Sequence, residues 1–510
     1  MWFNTELIAS LPGQWGISTV TVGLLIATWF LADGFRKWCH TEWRFLQSAV
    51  LIPGPPALPL IGNALKFACN GDELLNRIIE VSRPYDNPFR VWMGPKLVVV
   101  VKNPRDVEVV MNSKITSHKP YEYRFLASYL GPGIVTESGS IHRAHRKVIM
   151  PMVSGKSLNA YIDCFDRQSR RCVECLAGKV GEGEFDVMHY MDDCTLDMVL
   201  ETVMGTPGTA QHGGYKGLIN CCATAIALAH ERTMKVWLYP DWLYTRTTSG
   251  RQFASAMGVL QKFAATLVAR KKNVRHEPKI DNDSSDKLRT AVLDQLIARN
   301  DETEEMDDTR LRDAISNIWM PAQDPTALSC SFLFMMLGMH PEVQDKVRAE
   351  VNEIVGNEDM TMEKISRLTY LESVIKETIR LFPVGPIILR ESTADFEFET
   401  CSVPKGCTLA VILYEIHRDP KYWTDPEKFN PDRFTPENSA NRHPYAFIPF
   451  SGGIRGCVGR QYAMVLVKTL AARIVQKYKI GCDGSLDTLR LKAGVSIRSI
   501  DGYRVSITRA

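Results

Sequence analysis

The chain has 510 residues, 45% of them hydrophobic, and a formal net charge of +3. That length supports one large core or a few domains, and so balanced a charge argues against a nucleic-acid partner. Thirteen scattered cysteines, an odd number, argue against a disulfide framework or zinc site and for reduced thiols.

Residues 7 to 32 carry no charge. The apolar centre, Trp15 to Ala32, would span about 27 Å as a helix, close to the roughly 30 Å of a bilayer core. Glu6 precedes it and Asp33, Arg36, Lys37 and Arg44 follow, which keeps the following flank in the cytosol. No basic leader or small-residue cleavage site marks a secretory signal. Residues 1–37 are therefore expected to be a membrane anchor. A buried globular helix is the alternative, since Ser18, Thr19, Thr21 and Gly23 dilute the apolar run. Residues 38–62 then form a linker that ends in a proline-rich hinge, Ile52-Pro53-Gly54-Pro55-Pro56 onward, stiff and extended because proline fixes φ and removes donors. The body is 63–510.

Within the body, Phe89–Met93 and Leu97–Val101, split by Gly94-Pro95-Lys96, predict a β-hairpin. From Pro104 the pattern turns mostly helical. The strongest predicted helices are Asp307–Leu337, Pro341–Val355 and Tyr370–Leu381. Residues 273–309 read as a polar surface loop with one short amphipathic helix, Leu288–Ala298. The end, Leu489 to Ala510, has strand character. The fold class is mostly α with a small β-rich lobe.

The most telling segment is Phe450-Ser451-Gly452-Gly453-Ile454-Arg455-Gly456-Cys457-Val458-Gly459. A thiol in a glycine-rich turn before a helix-like stretch suits a thiolate ligand to heme iron. The backbone can approach a flat macrocycle, and N–H donors tune the sulfur's charge. A buried structural cysteine beside a tight turn is the other reading of such a loop. Glu377-Thr378-Ile379-Arg380 places an acid and a base on one helix face.

The cysteine segment resembles the F-x-x-G-x-R-x-C-x-G loop of cytochromes P-450. Further matches, His417-Arg418-Asp419-Pro420, Tyr121-Glu122-Tyr123-Arg124-Phe125 and Lys235-Val236-Trp237-Leu238-Tyr239-Pro240, resemble insect members of family 4, subfamily G most of all. The resemblance implies the cytochrome P-450 fold and heme b ligated by Cys457. Phe450 and Gly459 would flank the heme, and Arg455, Arg146, Arg390 and His142 would bind its carboxylates. Glu377, Arg380 and Arg433 would form a structural triad bracing the loop. It also implies electrons from NADPH through a reductase docked on a patch of Arg146, Lys147, Arg460 and Lys468. The setting would be the endoplasmic reticulum membrane, crossed once, with the catalytic domain cytosolic. The reaction would be monooxygenation of a long-chain fatty acid, an aldehyde or a lipophilic xenobiotic.

The chain departs from that pattern in its central helix, Pro321-Ala322-Gln323-Asp324-Pro325-Thr326. Relatives carry an acid and an alcohol here that handle protons during oxygen activation. Asp324 keeps the acid; the alcohol position is Pro325, and Thr326 lies one residue on, about 100° around the helix. Asp324 and Thr326 are the catalytic candidates. Pro321 replaces a Glu that forms a heme ester in family-4 members, so no covalent link is expected. The long polar insertion of subfamily G near residue 275 is missing. A heme-thiolate isomerase or dehydratase that needs no electron donor, or a heme protein without turnover, remain the alternative readings.

Overall fold

The computed structural model describes residue 49 and residues 51–69, 71–85, 88–275, 291–303 and 306–510. The expected anchor, 1–37, and residues 38–48 and 50 of the linker lie outside them. Among the described residues no helix is long and apolar enough to cross a membrane.

The hairpin forms as expected. β1 (Phe89–Met93) and β2 (Lys96–Val101) pair antiparallel, Met93 opposite Lys96. Gly94, at φ 62°, leads the two-residue turn, a position that favours glycine. The proline-rich run lies along β1: Arg90 N–H donates to Pro53 O at 2.7 Å, and Asn63 N–H to Trp92 O at 2.6 Å. It is extended, as its prolines require.

The helices that build the site are α1 (Gly139–Ile149), α2 (Met188–Thr202), α3 (Asp308–Met339), α4 (Thr369–Leu381) and α5 (Arg460–Lys477). Strands β3 (Ile387–Glu391) and β4 (Thr408–Ile412) complete a four-stranded sheet in the order β1-β2-β4-β3, with β2 and β4 parallel. The strand-like C-terminus yields β5 (Leu491–Ala493), β6 (Ile497–Ser499) and a last strand, Arg504–Arg509. The fold is mostly helical with this small sheet lobe.

The core is organised around α3. Asp307 caps it, its side chain accepting from Arg310 N–H at 2.7 Å. Residues Ala327, Leu328, Cys330 and Phe332 to Leu337 are buried, packed on Met191, Cys194 and Met198 of α2 and Leu466, Leu470 and Ile474 of α5. Each such large side chain contributes about 1.5–3 kcal/mol of burial. Phe332 stacks on Phe382 with centroids 4.2 Å apart. A helix enclosed on all sides shows no single apolar stripe.

Two expectations need correcting. The amphipathic helix is Val292–Thr303, not Leu288–Ala298, and its apolar face is buried: Val292, Leu293, Leu296 and Ile297 pack into a second core cluster. The flanking charges masked that burial. The cysteines are free thiols where described, but one pair, Cys172 and Cys175, does have C-x-x-C spacing. It lies within the helix Lys156–Leu176, and no cluster of His, Cys, Asp or Glu among the described residues could hold a metal ion.

Candidate functional site

The cysteine loop is held by backbone alone before any side chain acts. Cys457 N–H donates to Phe450 O at 2.9 Å, and Gly456 N–H to Gly453 O at 3.1 Å. Ser451 and Gly453 take φ of 59° and 61°, and a Cβ on Gly453 would fall 1.9 Å from Met111 O. Only glycine fits there. Gly459 precedes α5 as its cap and lies beside the thiol, where a Cβ would be 3.9 Å from Cys457 Sγ. Burial raises the thiol pKa; the Gly459 N–H, Arg146 and Arg460 lower it.

Cys457 is exposed, and the space it opens onto is a cleft. The cleft has two lobes, ≈ 200 Å³ and ≈ 390 Å³, both reached by Lys119, Pro321, Ala322, Arg455, Cys457, Gly459 and Tyr462. His142 and Arg146 of α1 line the first lobe; Phe450, Arg390 of β3, Pro325 and Thr326 line the second. No Asp or Glu lines either lobe.

Lys119, Arg146, Arg390 and Arg455 therefore bring four cations to a cleft without an acid. Arg146 Nη1 donates to Gly456 O at 2.6 Å, and Arg390 Nη2 to Ser451 Oγ at 3.1 Å. Both Arg455 Nη atoms are buried without a partner, and burial, then Arg390, pull its pKa down to about 10. Burial, then Arg390 and Arg455, hold the Lys119 amine well below its ordinary value. His142 is pushed down to about 3 by burial and then by Arg455 and its neighbours, so it is a neutral donor. Buried cations with free donors fit a planar group bearing two carboxylates. Sequence reasoning missed Lys119 and Tyr123, whose ring lies 4.0 Å from the Lys119 Nζ. Lys119 carries no motif, Tyr123 lies in a matching segment to which no site role was given, and only folding brings them to the cleft.

Below the loop the triad residues do meet. Arg380 donates to both Glu377 oxygens at 2.7 and 2.8 Å, and Arg433 Nε to Glu377 Oε1 at 3.3 Å. Arg380 also donates to the carbonyls of His417 and Pro426 at 2.8 and 2.7 Å, and Asn430 N–H to Glu377 at 2.8 Å. His417 Nε2 in turn accepts Ile448 N–H at 3.1 Å, two residues before Phe450. The histidine is the link from triad to loop, and burial, then Arg380, push it down to about 3. Its role was invisible in the sequence because it depends on a backbone contact 31 residues away.

On the opposite wall α3 stays continuous through Pro321 and Pro325. Thr326 reaches the cleft, its hydroxyl donating to Ala322 O at 2.7 Å. Asp324 does not line it: Oδ1 pairs with Arg498 of β6, and Oδ2 is buried without a partner. The expected basic patch loses Lys468, which is 3% exposed. Its Nζ donates to Glu372 Oε2 at 2.5 Å and Ile365 O at 3.1 Å. A cation on a helix packed into the core must be paired inside it. Lys147 and Arg460 are exposed, and Arg146 half-buried.

A thiol cradle above a charged triad, facing a cleft edged with cations, defines a heme-thiolate protein. The family model for cytochrome P450 matches residues 52–499, and the chain belongs to the cytochrome P450 family. It is 32% identical to cytochrome P450 4c3 of Drosophila melanogaster over 97% of this chain and 95% of that one. Identity to cytochrome P450 4V2 of Pongo abelii is 32%, over 89% and 88%. Cytochrome P450 4g15 of Drosophila melanogaster is 28% identical over 96% and 97%. The chain is an oxidoreductase of the monooxygenase type, with heme b as cofactor and electrons from NADPH by way of a reductase.

Proposed function

We propose that this chain inserts one oxygen atom into a long lipophilic substrate, a fatty acid, aldehyde or apolar xenobiotic, bound in the larger lobe. The observation that carries the reading is the lining of that lobe. Ile375, Ile379, Val384, Ile388 and Val495 line it along with Pro325 and Thr326, and no carboxylate does. This apolar part of the lining takes up an apolar chain, while Lys119, Arg390 and Arg455, which reach the same lobe, would face the carboxylates of the cofactor.

In this reading Cys457 would ligate the heme iron, and Arg455, Arg146, Arg390 and His142 would hold the carboxylates of the cofactor. Phe450 and Gly459 shape the bed beside the thiol. Heme supplies the oxygen chemistry; the protein binds, orients and desolvates. Thr326 offers a hydroxyl at the cleft wall, and Asp324 holds a carboxylate one layer behind it. Glu377, Arg380 and Arg433 brace the loop through His417. Residues 1–37 anchor the chain in the endoplasmic reticulum membrane and 38–62 form its linker, leaving the catalytic domain, 63–510, in the cytosol. The reductase docks beside Lys147 and Arg460.

The test is turnover of the full chain with reductase and NADPH on matched C12–C18 acids, aldehydes and alkanes (chain lengths of about 15–20 Å). Oxygenated product from a long apolar chain, and little from short polar analogues, is expected. NADPH-independent conversion of a hydroperoxide, with no oxygenation of any chain, would overturn the assignment. Deleting residues 1–37 should move the protein from the membrane pellet toward the soluble fraction.

A further inference from the structure

Gln323 and Asp324, between the prolines of α3, and Pro325 itself bear on how this wall is held. Proline has no N–H, so Pro321 and Pro325 withdraw the donors that Asn317 and Pro321 carbonyls would receive in an unbroken ladder. That wall is weakest where it overhangs the cleft. Of the three residues between the prolines, Ala322 lines the cleft while Gln323 and Asp324 do not. Gln323, 3% exposed, donates from Nε2 to Asp192 Oδ1 on α2 at 3.0 Å. Asp324 pairs with Arg498 on β6. The segment is thus tied to two different elements at the point where its backbone bonds are missing.

We propose that Asp192 is a positioning residue for the distal wall: by holding Gln323 it fixes the segment from Pro321 to Thr326 over the cleft in place of the deleted backbone bonds. The inference does not depend on which substrate the lobe accepts. Asp192 lies outside the cleft, so it acts only through Gln323. Its electrostatic setting fits the role. The groups facing it are Gln323 and Asp324 from α3, Arg498 from β6, Cys222 from the helix Lys216–Met234 and Asp193 from its own helix; burial first, then Asp324, raise its carboxyl to about 7. Above that pH the tether is a charge-assisted bond, and below it a weaker neutral one. The wall therefore loosens as pH falls through neutrality.

The experiment uses the full heme-loaded chain and two readouts that require no turnover. One is hydrogen exchange of the amides from Ala322 to Ser329, with α5 as internal reference. The other is affinity for ethyl isocyanide, a neutral ligand that enters the cleft. Asp192→Ala should speed exchange in the segment roughly tenfold, the worth of one charge-assisted bond, and shift the isocyanide Kd severalfold, with α5 unchanged. Asp192→Asn keeps only a neutral acceptor, so it should match the wild type at about pH 6 and be looser than the wild type at about pH 8. Gln323→Leu, which cannot donate, should reproduce Asp192→Ala and serves if that variant fails to fold. Isocyanide affinity of the wild type should change between about pH 6 and about pH 8, and not in Asp192→Asn. Wild-type exchange in both Asp192→Ala and Gln323→Leu would overturn the proposal, as would equal loosening of α5.

Discussion

The two walls of the cleft are built on opposite principles. The thiol side is over-determined: backbone bonds set the loop, Gly453 supplies a close approach that no side chain could occupy, and a fully buried Glu377–Arg380 pair with its carbonyl partners stands behind it. The distal side gives up two rungs of its own helix and relies on single side-chain ties, Gln323 to Asp192 and Asp324 to Arg498. One wall tolerates almost no change; the other is a place where change is already visible. A ligand-bearing loop must hold its geometry through every cycle, whereas a wall that meets substrate can be re-cut for a new one.

Four substitutions or conditions sharpen that contrast, beginning with the most severe. Cys457→Ser should abolish the long-wavelength carbon monoxide band of the reduced protein, since a hydroxyl does not push electron density to iron as a thiolate does; an unaltered band would show that another residue is the ligand. Glu377→Ala strands Arg380, whose side chain is 0% exposed. A loss of about 3–5 kcal/mol is expected, read as a lower urea midpoint and lower heme content. A loss under about 1 kcal/mol would place the pair among weak surface bridges.

The third concerns pH. Folding lowers the His417 pKa from 6.5 to about 3, so between those values the unfolded chain binds the proton and the folded chain does not. Stability is then complete above about 6.5 and falls with pH below it, by about 1.4 kcal/mol per unit. His417→Gln keeps an acceptor for Ile448 N–H and should flatten the fall in melting temperature between about pH 6.5 and about pH 5. An identical slope would move the effect to other groups. The smallest effect belongs to the loose wall. Pro325→Thr restores a backbone donor and a hydroxyl at the cleft. Product formed per NADPH oxidised should rise by a few-fold, roughly 1 kcal/mol in partitioning. No change would leave the Thr326 hydroxyl sufficient.

What was legible in the sequence follows the same division. The cysteine loop, the triad and the hairpin are set by local chemistry: a glycine that must take positive φ, a pair three residues apart on one helix face, a turn between alternating runs. Those are visible in one dimension. Failures came where a residue's partner lies far along the chain. Lys468 looked like surface charge because its partners, Ile365 and Glu372, are about a hundred residues upstream. Asp324 looked like a cleft residue because spacing cannot show which way a helix enclosed on all sides turns its faces. Lys119 carried no pattern, Tyr123 lay in a matching segment without a site role, and the fold placed both at the cleft. The expected helix held the four buried apolar residues of Val292–Thr303 but stopped short of its polar end, Asn300-Asp301-Glu302-Thr303, which carries no apolar pattern.

The four cations at the cleft have a further consequence, for the supply of the protein rather than its reaction. Like charges gathered in a low-dielectric cavity repel one another, and Arg455 adds donors that no residue satisfies. The polypeptide by itself is thus poised against its own fold at this spot. A dianionic cofactor reverses the sign of that interaction, and the native state gains stability with ligand concentration by mass action. Cellular heme then acts as a folding partner: chains made during heme scarcity present an open, self-repelling centre to the proteases that patrol unfolded protein. Abundance of the enzyme should track cofactor supply even when its synthesis is constant.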